Sequence, residues 1–206
     1  MFNVDYIFDF DCTITYRNFA YFWWKPDEIF KTINKDIEPE LVDNLSYKFN
    51  NKMIHDQIDI NLFNNIIFGS NKRIDYLDNF FSELSNRGNL IIASRGNADK
   101  IYQCLQLNKL GKYFPRKNIY GTETNKTKLI IHRLNKNHNV FYIDDNHEEH
   151  NDLEKNSNIN KIIIDHDFNL YNYYNKCRYI FCHSLNKDYH GIDKKLMIKI
   201  LNLPIR

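Results

Sequence analysis

Asp9-Phe10-Asp11-Cys12-Thr13 follows directly on the mostly apolar run Val4-Asp5-Tyr6-Ile7-Phe8. Two carboxylates two residues apart at the end of a buried strand repel each other unless a cation or a proton lies between them. A magnesium ion suits such a pair: it is hard, oxygen-seeking and commonly held by one or two carboxylates with phosphate oxygen and water. An aspartate can also attack phosphorus and form an aspartyl-phosphate. A second aspartate nearby can protonate the leaving oxygen and then activate water. The same residues also fit a plain strand-end turn with a threonine cap.

Three further clusters could join them. Ser94 follows Ile91-Ile92-Ala93 and precedes Arg95-Gly96-Asn97, where its hydroxyl and nearby amides could meet a phosphate or cap the next helix. Lys126 and Lys128 open a helix at Asn125-Lys126-Thr127-Lys128-Leu129. A lysine reaching the site would neutralise the nucleophile and the developing phosphoryl charge; a helix-start lysine is ordinarily just solvated. Asp144-Asp145 close the run Phe141-Tyr142-Ile143, a second acid pair suited to a metal. Glu148, Glu149 and Asp152 add negative potential there, or act as first-turn helix acids.

The elements that must position these residues alternate. Strands are predicted at 4–8, 90–94, 119–120, 140–143, 161–165 and, as an edge, 179–182. Helices are predicted over 74–87, 98–107, 126–134, 147–155 and 193–202. Residues 16–70 differ: Pro26-Asp27-Glu28 and Pro39-Glu40 are helix-start signals, and Leu41/Leu45/Phe49 and Ile58/Leu62/Ile66 recur at helical spacing. The expected fold is α/β, a Rossmann-like, mostly parallel sheet flanked by helices, with a small helical insertion. In such sheets ligands bind beyond the carboxyl ends of the strands, and Asp9/Asp11, Ser94 and Asp144/Asp145 would converge there.

Taken in order, the four clusters resemble the haloacid dehalogenase-like (HAD) hydrolase superfamily: an apolar strand then D-x-D-x-T, a strand then Ser, a lysine, and a strand then paired acids. The segment Leu105 to Gly121 also looks like the superfamily's usual linker, and the resemblance spans residues 4 to about 152. It implies Asp9 as nucleophile and Mg²⁺ ligand, and Asp11 as general acid/base with its backbone carbonyl on the metal. It implies Asp144 on the metal directly, and Asp145 directly or through water. Thr13 would support the loop, and Ser94, with Arg95 beside it, would bind phosphoryl oxygens. Lys126 would pair with nucleophile and phosphate, with Lys128 the alternative that spacing leaves open. The second acid of the last pair is present in phosphatases of the superfamily and lacking in its haloacid dehalogenases; the D-K-T-G-T signature of P-type ATPases is absent. Position 12 is Cys where many members have Gly, which bears on backbone geometry and places a thiol beside the nucleophile. Residues 16–70 sit where the superfamily carries a C1-type cap, leaving 1–15 and 71–206 as the core.

The implied activity is a Mg²⁺-dependent phosphatase that hydrolyses a phosphate monoester through an aspartyl-phosphate. Two alternatives stay open: a phosphatase for nucleotide or nucleic-acid ends or for phosphoprotein, and a catalytically silent binding module on the same scaffold. The 206 residues suit one domain with a small insertion. Hydrophobic residues at 43% and aromatics at 15% exclude collagen, low-complexity and disordered classes. A net charge of +2, from 28 basic and 26 acidic residues, argues against gripping nucleic acid by bulk charge, although a local basic groove is compatible with it. No run approaches the roughly 18–20 apolar residues of a membrane span. The N-terminal segment carries acids and no basic residue, unlike a signal peptide, so a soluble cytoplasmic protein is expected. Cys12, Cys104, Cys177 and Cys182 form no C-x-x-C pair and read as reduced thiols. His147 and His150 read as surface residues rather than a second metal site, and Tyr171, Tyr173 and Tyr174 as packing. Phe19, Tyr21, Phe22, Trp23 and Trp24 read as packing of the insertion or as a stacking surface, with Arg17 and Lys25 able to meet substrate charge.

Overall fold

A computed structural model describes residues 4–30, 37–51, 58–121, 125–134, 136, 138–146, 148–149, 153, 159–165, 179–182 and 191–203. Six strands form one sheet: β1 (Val4–Phe8), β2 (Asn89–Ala93), β3 (Ile119–Tyr120), β4 (Asn139–Asp144), β5 (Ile159–Asp165) and β6 (Tyr179–Cys182). Their order is β3-β2-β1-β4-β5-β6, and every pairing is parallel. That order reverses direction at β1, and the crevice at such a reversal is where open α/β sheets place their ligands.

Parallel strands are covered on both faces, so they carry near-continuous apolar runs rather than alternation. β1 is buried at all five positions. Tyr6 and Phe8 pack with Leu90, Ile92, Phe141 and Ile143 on one face. Ile7 packs with Ile91, Val140 and Tyr142 on the other. Phe8 meets Phe80, Phe81 and Phe114 edge-on, with ring centroids 6.1, 5.6 and 6.4 Å away, the geometry that aromatic quadrupoles favour. The exception in β1 is Asp5, fully buried near the start of the strand. Asn89 Nδ2 donates to it at 2.8 Å, and His138 Nδ1 lies 2.9 Å from its other oxygen.

The helices are α1 (Phe19–Trp24), α2 (Pro26–Phe30), α3 (Pro39–Asn50), α4 (Ile60–Ile67), α5 (Asn71–Ser85), α6 (Ala98–Leu107), α7 (Lys126–Leu134) and α8 (Lys194–Leu201). Polar side chains start several of them. Asp59 accepts from Leu62 N, Ser70 from Arg73 N, Asn97 from Asp99 N and Lys100 N, and Asp193 from Leu196 N, each relieving orphan amides of a first turn. α5, α6 and α8 contribute to the core on the Phe8 face, and α7 packs Leu129 and Ile130 on the Ile7 face.

α1 to α4 form the insertion between β1 and α5. Their shared centre is aromatic: Phe19, Phe22, Phe49 and Phe63 stack or meet edge-on with centroids 5.4–6.3 Å apart. Phe10, in the loop after β1, meets Phe19 edge-on at 5.5 Å. Of the aromatic run that opens the insertion, Phe19 and Phe22 are therefore packing residues. Trp24 is 65% exposed, and Lys25 lies over its ring. No described helix is long and apolar enough to cross a membrane. Most of the predicted helix at 147–155 lies outside the described residues, as do His147, His150, Asp152, Tyr171, Tyr173, Tyr174 and Cys177.

Candidate active site

β1 and β4 are adjacent and in register, with Phe8 opposite Ile143. Their carboxyl ends therefore place Asp9 beside Asp144 and Asp145. Asp9 N continues the ladder by donating to Ile143 O at 2.8 Å. One carboxylate oxygen from each of Asp9, Asp144 and Asp145 lies within 4.8 Å of the others. Lys126, the first residue of α7, is 6% exposed; its Nζ donates to Asp9 Oδ1 at 2.9 Å and to Asp144 Oδ2 at 2.8 Å. Tyr142, two residues back on the same side of β4, donates its hydroxyl to that Asp144 oxygen, and Asn146 N donates to Asp144 Oδ1 at 2.8 Å. Asp144 is thus held from three directions.

Between β1 and α1 the chain turns tightly. Thr15 N returns to Phe10 O at 3.0 Å, and the Thr15 hydroxyl accepts from Cys12 N at 3.2 Å. Closing so short a loop forces Cys12 into the left-handed region, at φ 55° and ψ 6°. This is the backbone reason for glycine at that position, and it costs a non-glycine residue about 1–2 kcal/mol. Thr13 is fully buried and donates to Asp145 Oδ1 at 3.4 Å, tying the loop to the second acid pair. Asp11 faces a different set of partners. Ala20 N, at the start of α1, donates to its Oδ1 at 3.1 Å, and the Ser94 hydroxyl donates to its Oδ2 at 3.4 Å. Ser94 in turn accepts from Gly96 N at 3.0 Å.

The residues line a cleft of about 250 Å³ that holds Asp9, Asp11, Lys126, Asp144 and Asp145, with Arg95 and Gly96 on one side and Asn18 and Ala20 on the other. Four carboxylates face one ammonium. Burial, then Asp144, pushes Asp145 up to about 7. Burial and Asp144 likewise hold Asp9 well above the usual carboxylate range, against the pull of Lys126. Burial also raises Asp11, opposed by the amides of Ala20 and Phe19. Burial alone would lower Lys126, but Asp9 and Asp144 outweigh it and hold the ammonium charged. Burial, followed by Asp145, Asp11 and Asp9, pushes the Cys12 thiol well above its usual range.

The structure brings most of the sequence-predicted residues together. Thr13 and Ser94 sit just beneath the cleft, bonded to Asp145 and Asp11. Arg95 is at the rim, 70% exposed and paired with Glu149 at 2.7 Å. Lys128 is not brought in. It is exposed, lies outside the cleft lining and meets Asn125 only through its backbone amide. The first residue of a helix faces the preceding strand end, and the third has turned away by more than half a turn. Arg17 does not reach the cleft either; its Nη1 donates to Asn65 O and Ile66 O at the end of α4. The sequence reading missed Tyr142, Asn18, Asn146 and Thr15. Tyr142 was legible in principle, since positions i and i+2 of a strand share a face. Asn18, whose Oδ1 is buried with no donor, carried no such signal.

No protein-family model and no curated protein matches the chain. Solved structures do. A phosphoserine phosphohydrolase-like protein from Francisella tularensis is 16% identical, with 86% of this chain and 94% of that one covered and a TM-score of 0.48. A haloacid dehalogenase-like family hydrolase from Streptococcus pneumoniae is 18% identical, over 88% and 95%, with a TM-score of 0.49. The HAD-hydrolase YfnB from Bacillus subtilis, solved bound to magnesium, is 16% identical over 98% and 100%, with a TM-score of 0.51. The last comparison establishes that the chain has the Rossmann-like α/β fold of HAD-like hydrolases.

Proposed function

We propose that the chain is a Mg²⁺-dependent phosphatase that cleaves a phosphate monoester through an aspartyl-phosphate on Asp9. The observation that carries this reading is Lys126 Nζ set between Asp9 and Asp144 at the carboxyl edge of the sheet. A binding module has no need for a buried cation that orients one carboxylate oxygen of a nucleophile. The donor set also fits the metal: three carboxylates within mutual reach, all hard oxygen, with more negative charge than one lysine balances. Asp9, Asp144 and Asp145 would hold Mg²⁺, with the Asp11 backbone carbonyl as the further ligand the resemblance implies. Bound there, Mg²⁺ supplies charge neutralisation for the carboxylates and the phosphoryl oxygens. YfnB, which shares the fold, was solved with magnesium.

In the first step Asp9 attacks phosphorus, the P–O bond to the ester oxygen breaks, and Asp11 gives that oxygen a proton. The raised Asp11 suits it to carry that proton. In the second step water attacks the aspartyl-phosphate, Asp11 takes the water's proton, and inorganic phosphate leaves Asp9 regenerated. Lys126 offsets the charge spread over the phosphoryl oxygens. The insertion, residues 16–70, serves as the cap over the core formed by 1–15 and 71–206, limiting water and selecting substrate.

The test is phosphate release from p-nitrophenyl phosphate with Mg²⁺ or with EDTA, for the wild type and Asp9→Asn. Turnover that needs Mg²⁺ and disappears in Asp9→Asn is expected. No release by the wild type from this ester, or from a panel of phosphorylated nucleotides, sugars and peptides, would refute the reading in favour of the binding module.

A further inference from the structure

A second cavity, of about 320 Å³, shares no lining residue with the cleft. It lies where the insertion joins the core. Tyr16 and Arg17 line it on the outgoing chain and Gly69 and Ser70 on the returning one, and Tyr16 N donates to Ile67 O at 2.8 Å across the junction. α5 and α8 begin at its wall. Its volume is that of a small-ligand pocket.

Its charge is one-sided. Among the described residues, Arg17, Lys72, Arg73 and Lys194 line it against a single carboxylate, Asp193, which caps α8 by accepting from Leu196 N at 2.7 Å. Lys72 and Lys194 lie over the same ring, that of Tyr76, at 5.9 and 4.9 Å. The ring face attracts each ammonium and keeps both beside the cavity. Arg73 forms no ion pair among the described residues. Its Nε and Nη1 make only long bonds, 3.3 Å to Ile192 O and 3.4 Å to Phe68 O, and its Nη2 is buried with no acceptor. Burial lowers this guanidinium to about 10, against the opposing pull of Tyr16 and Asp193. One leading amide of each helix, Arg73 N of α5 and Leu196 N of α8, already serves Ser70 and Asp193.

We propose that this junction cavity binds a small phosphate-type dianion, separately from the carboxylate cleft. A dianion meets two of the cationic side chains where a monocarboxylate meets one, and phosphate is the group that guanidinium and ammonium donors jointly favour. The ligand bridges core and insertion, because Lys72, Arg73 and Lys194 belong to α5 and α8 while Tyr16 and Arg17 lie on the chain crossing. The site also adjoins the loop that carries the nucleophile, since Ile192 N donates to Thr13 O at 2.8 Å. The proposal does not rest on the chemistry of the cleft.

Equilibrium dialysis with radiolabelled inorganic phosphate and Mg²⁺ at low ionic strength tests it. The proteins are the wild type and Lys72→Glu/Lys194→Glu, both positions being exposed and free of structural hydrogen bonds through their ammonium groups among the described residues. The wild type is expected to bind two equivalents and the double variant one, with at least a tenfold loss at the missing site. One equivalent falling to none also supports the junction site and would count against the cleft alone. The same stoichiometry and affinity in both proteins overturns the proposal, as does a wild type that binds no phosphate.

Discussion

Replacing Lys126 by methionine keeps most of the buried stem and removes the ammonium. That ammonium lies 2.9 Å from Asp9 and 2.8 Å from Asp144, and all three side chains are less than a tenth exposed. Deleting one partner of a buried pair costs about 3–5 kcal/mol, because the other charge is left uncompensated. Here one deletion strands two carboxylates, so the upper part of that range is expected at pH 8 without metal. The cost must depend on pH. Asp9 is already held well above its usual range by burial and Asp144, and without Lys126 it rises further. A carboxylate raised in the folded state destabilises the fold as pH climbs from its unfolded value, about 3.9, towards its folded one. Lowering the pH from 8 to 5 protonates such a group in the fold and recovers about 1.4 kcal/mol for each pH step of one below its folded value. Urea denaturation with EDTA at both pH values, for the wild type, Lys126→Met and Lys128→Met, measures this. Lys128 is exposed, so its change should stay within about 0.5 kcal/mol. Phosphate release should fall about 10²–10³-fold in Lys126→Met, the loss that follows removal of one preorganised charge-stabilising donor. A Lys126→Met loss below about 1 kcal/mol at pH 8, or one equal at pH 5, refutes the reasoning, as does a larger activity loss in Lys128→Met.

Asp145, raised to about 7, gives the wild type its own signature. With EDTA, stability should decline as pH rises from about 4, where the unfolded carboxyl ionises, to about 7, where the folded one does, with Asp145 contributing on the order of 4 kcal/mol and the raised Asp9 and Asp11 adding to it. Millimolar Mg²⁺ should offset that decline near pH 7, read by urea titrations across the same range. Cys12, at φ 55°, should accept glycine with little change in denaturation midpoint, whereas Cys12→Val, β-branched in the left-handed region, should lose about 1–3 kcal/mol. Gly191 has φ +86°, and a Cβ there would lie 2.6 Å from Arg73 Nη2 and 3.0 Å from Thr13 O. Gly191→Ala should therefore lower the melting temperature and, by pressing on the nucleophile loop, kcat as well; an unchanged melting temperature would contradict the packing described.

Runs such as Val4–Phe8 and Leu90–Ala93 were legible because a strand covered on both faces is apolar throughout, and a polar residue then marks its end. The order of those ends along the chain was enough to place Asp9 and Asp144 on one edge. Which lysine joins them was not legible, because Lys126 and Lys128 differ only in which way the first turn of α7 faces, and that follows from the angle at which α7 meets the sheet. The partners of Asp11 were equally hidden, since Ala20 contributes a backbone amide and any residue type but proline has one. Glu149 could be read as a first-turn acid, yet it pairs with Arg95 across more than fifty residues of sequence, a contact set by how the β2 and β4 loops approach each other.

The separate surroundings of Asp9 and Asp11 suit the opposite roles proposed for two aspartates two residues apart. Asp9 shares a lysine with Asp144 and lies among acids, so a cation, rather than a proton, is the natural way to settle its charge. Asp11 is turned from that cluster and is received by Ala20 N and the Ser94 hydroxyl, just before the chain enters the left-handed turn at Cys12. Burial raises it against the amides of Ala20 and Phe19 and the Ser94 hydroxyl, the direction that suits a proposed proton carrier. Because one of its two partners is the first turn of α1, the position of the proposed acid depends on the insertion, while the proposed nucleophile is held mainly by the sheet and by Lys126 of α7. A change in the seating of α1 on the core would therefore act on proton transfer and leave the attack geometry of Asp9 in place, so insertion variants around Phe19 and Phe22 are expected to shift the pH profile of turnover before they abolish Mg²⁺ binding.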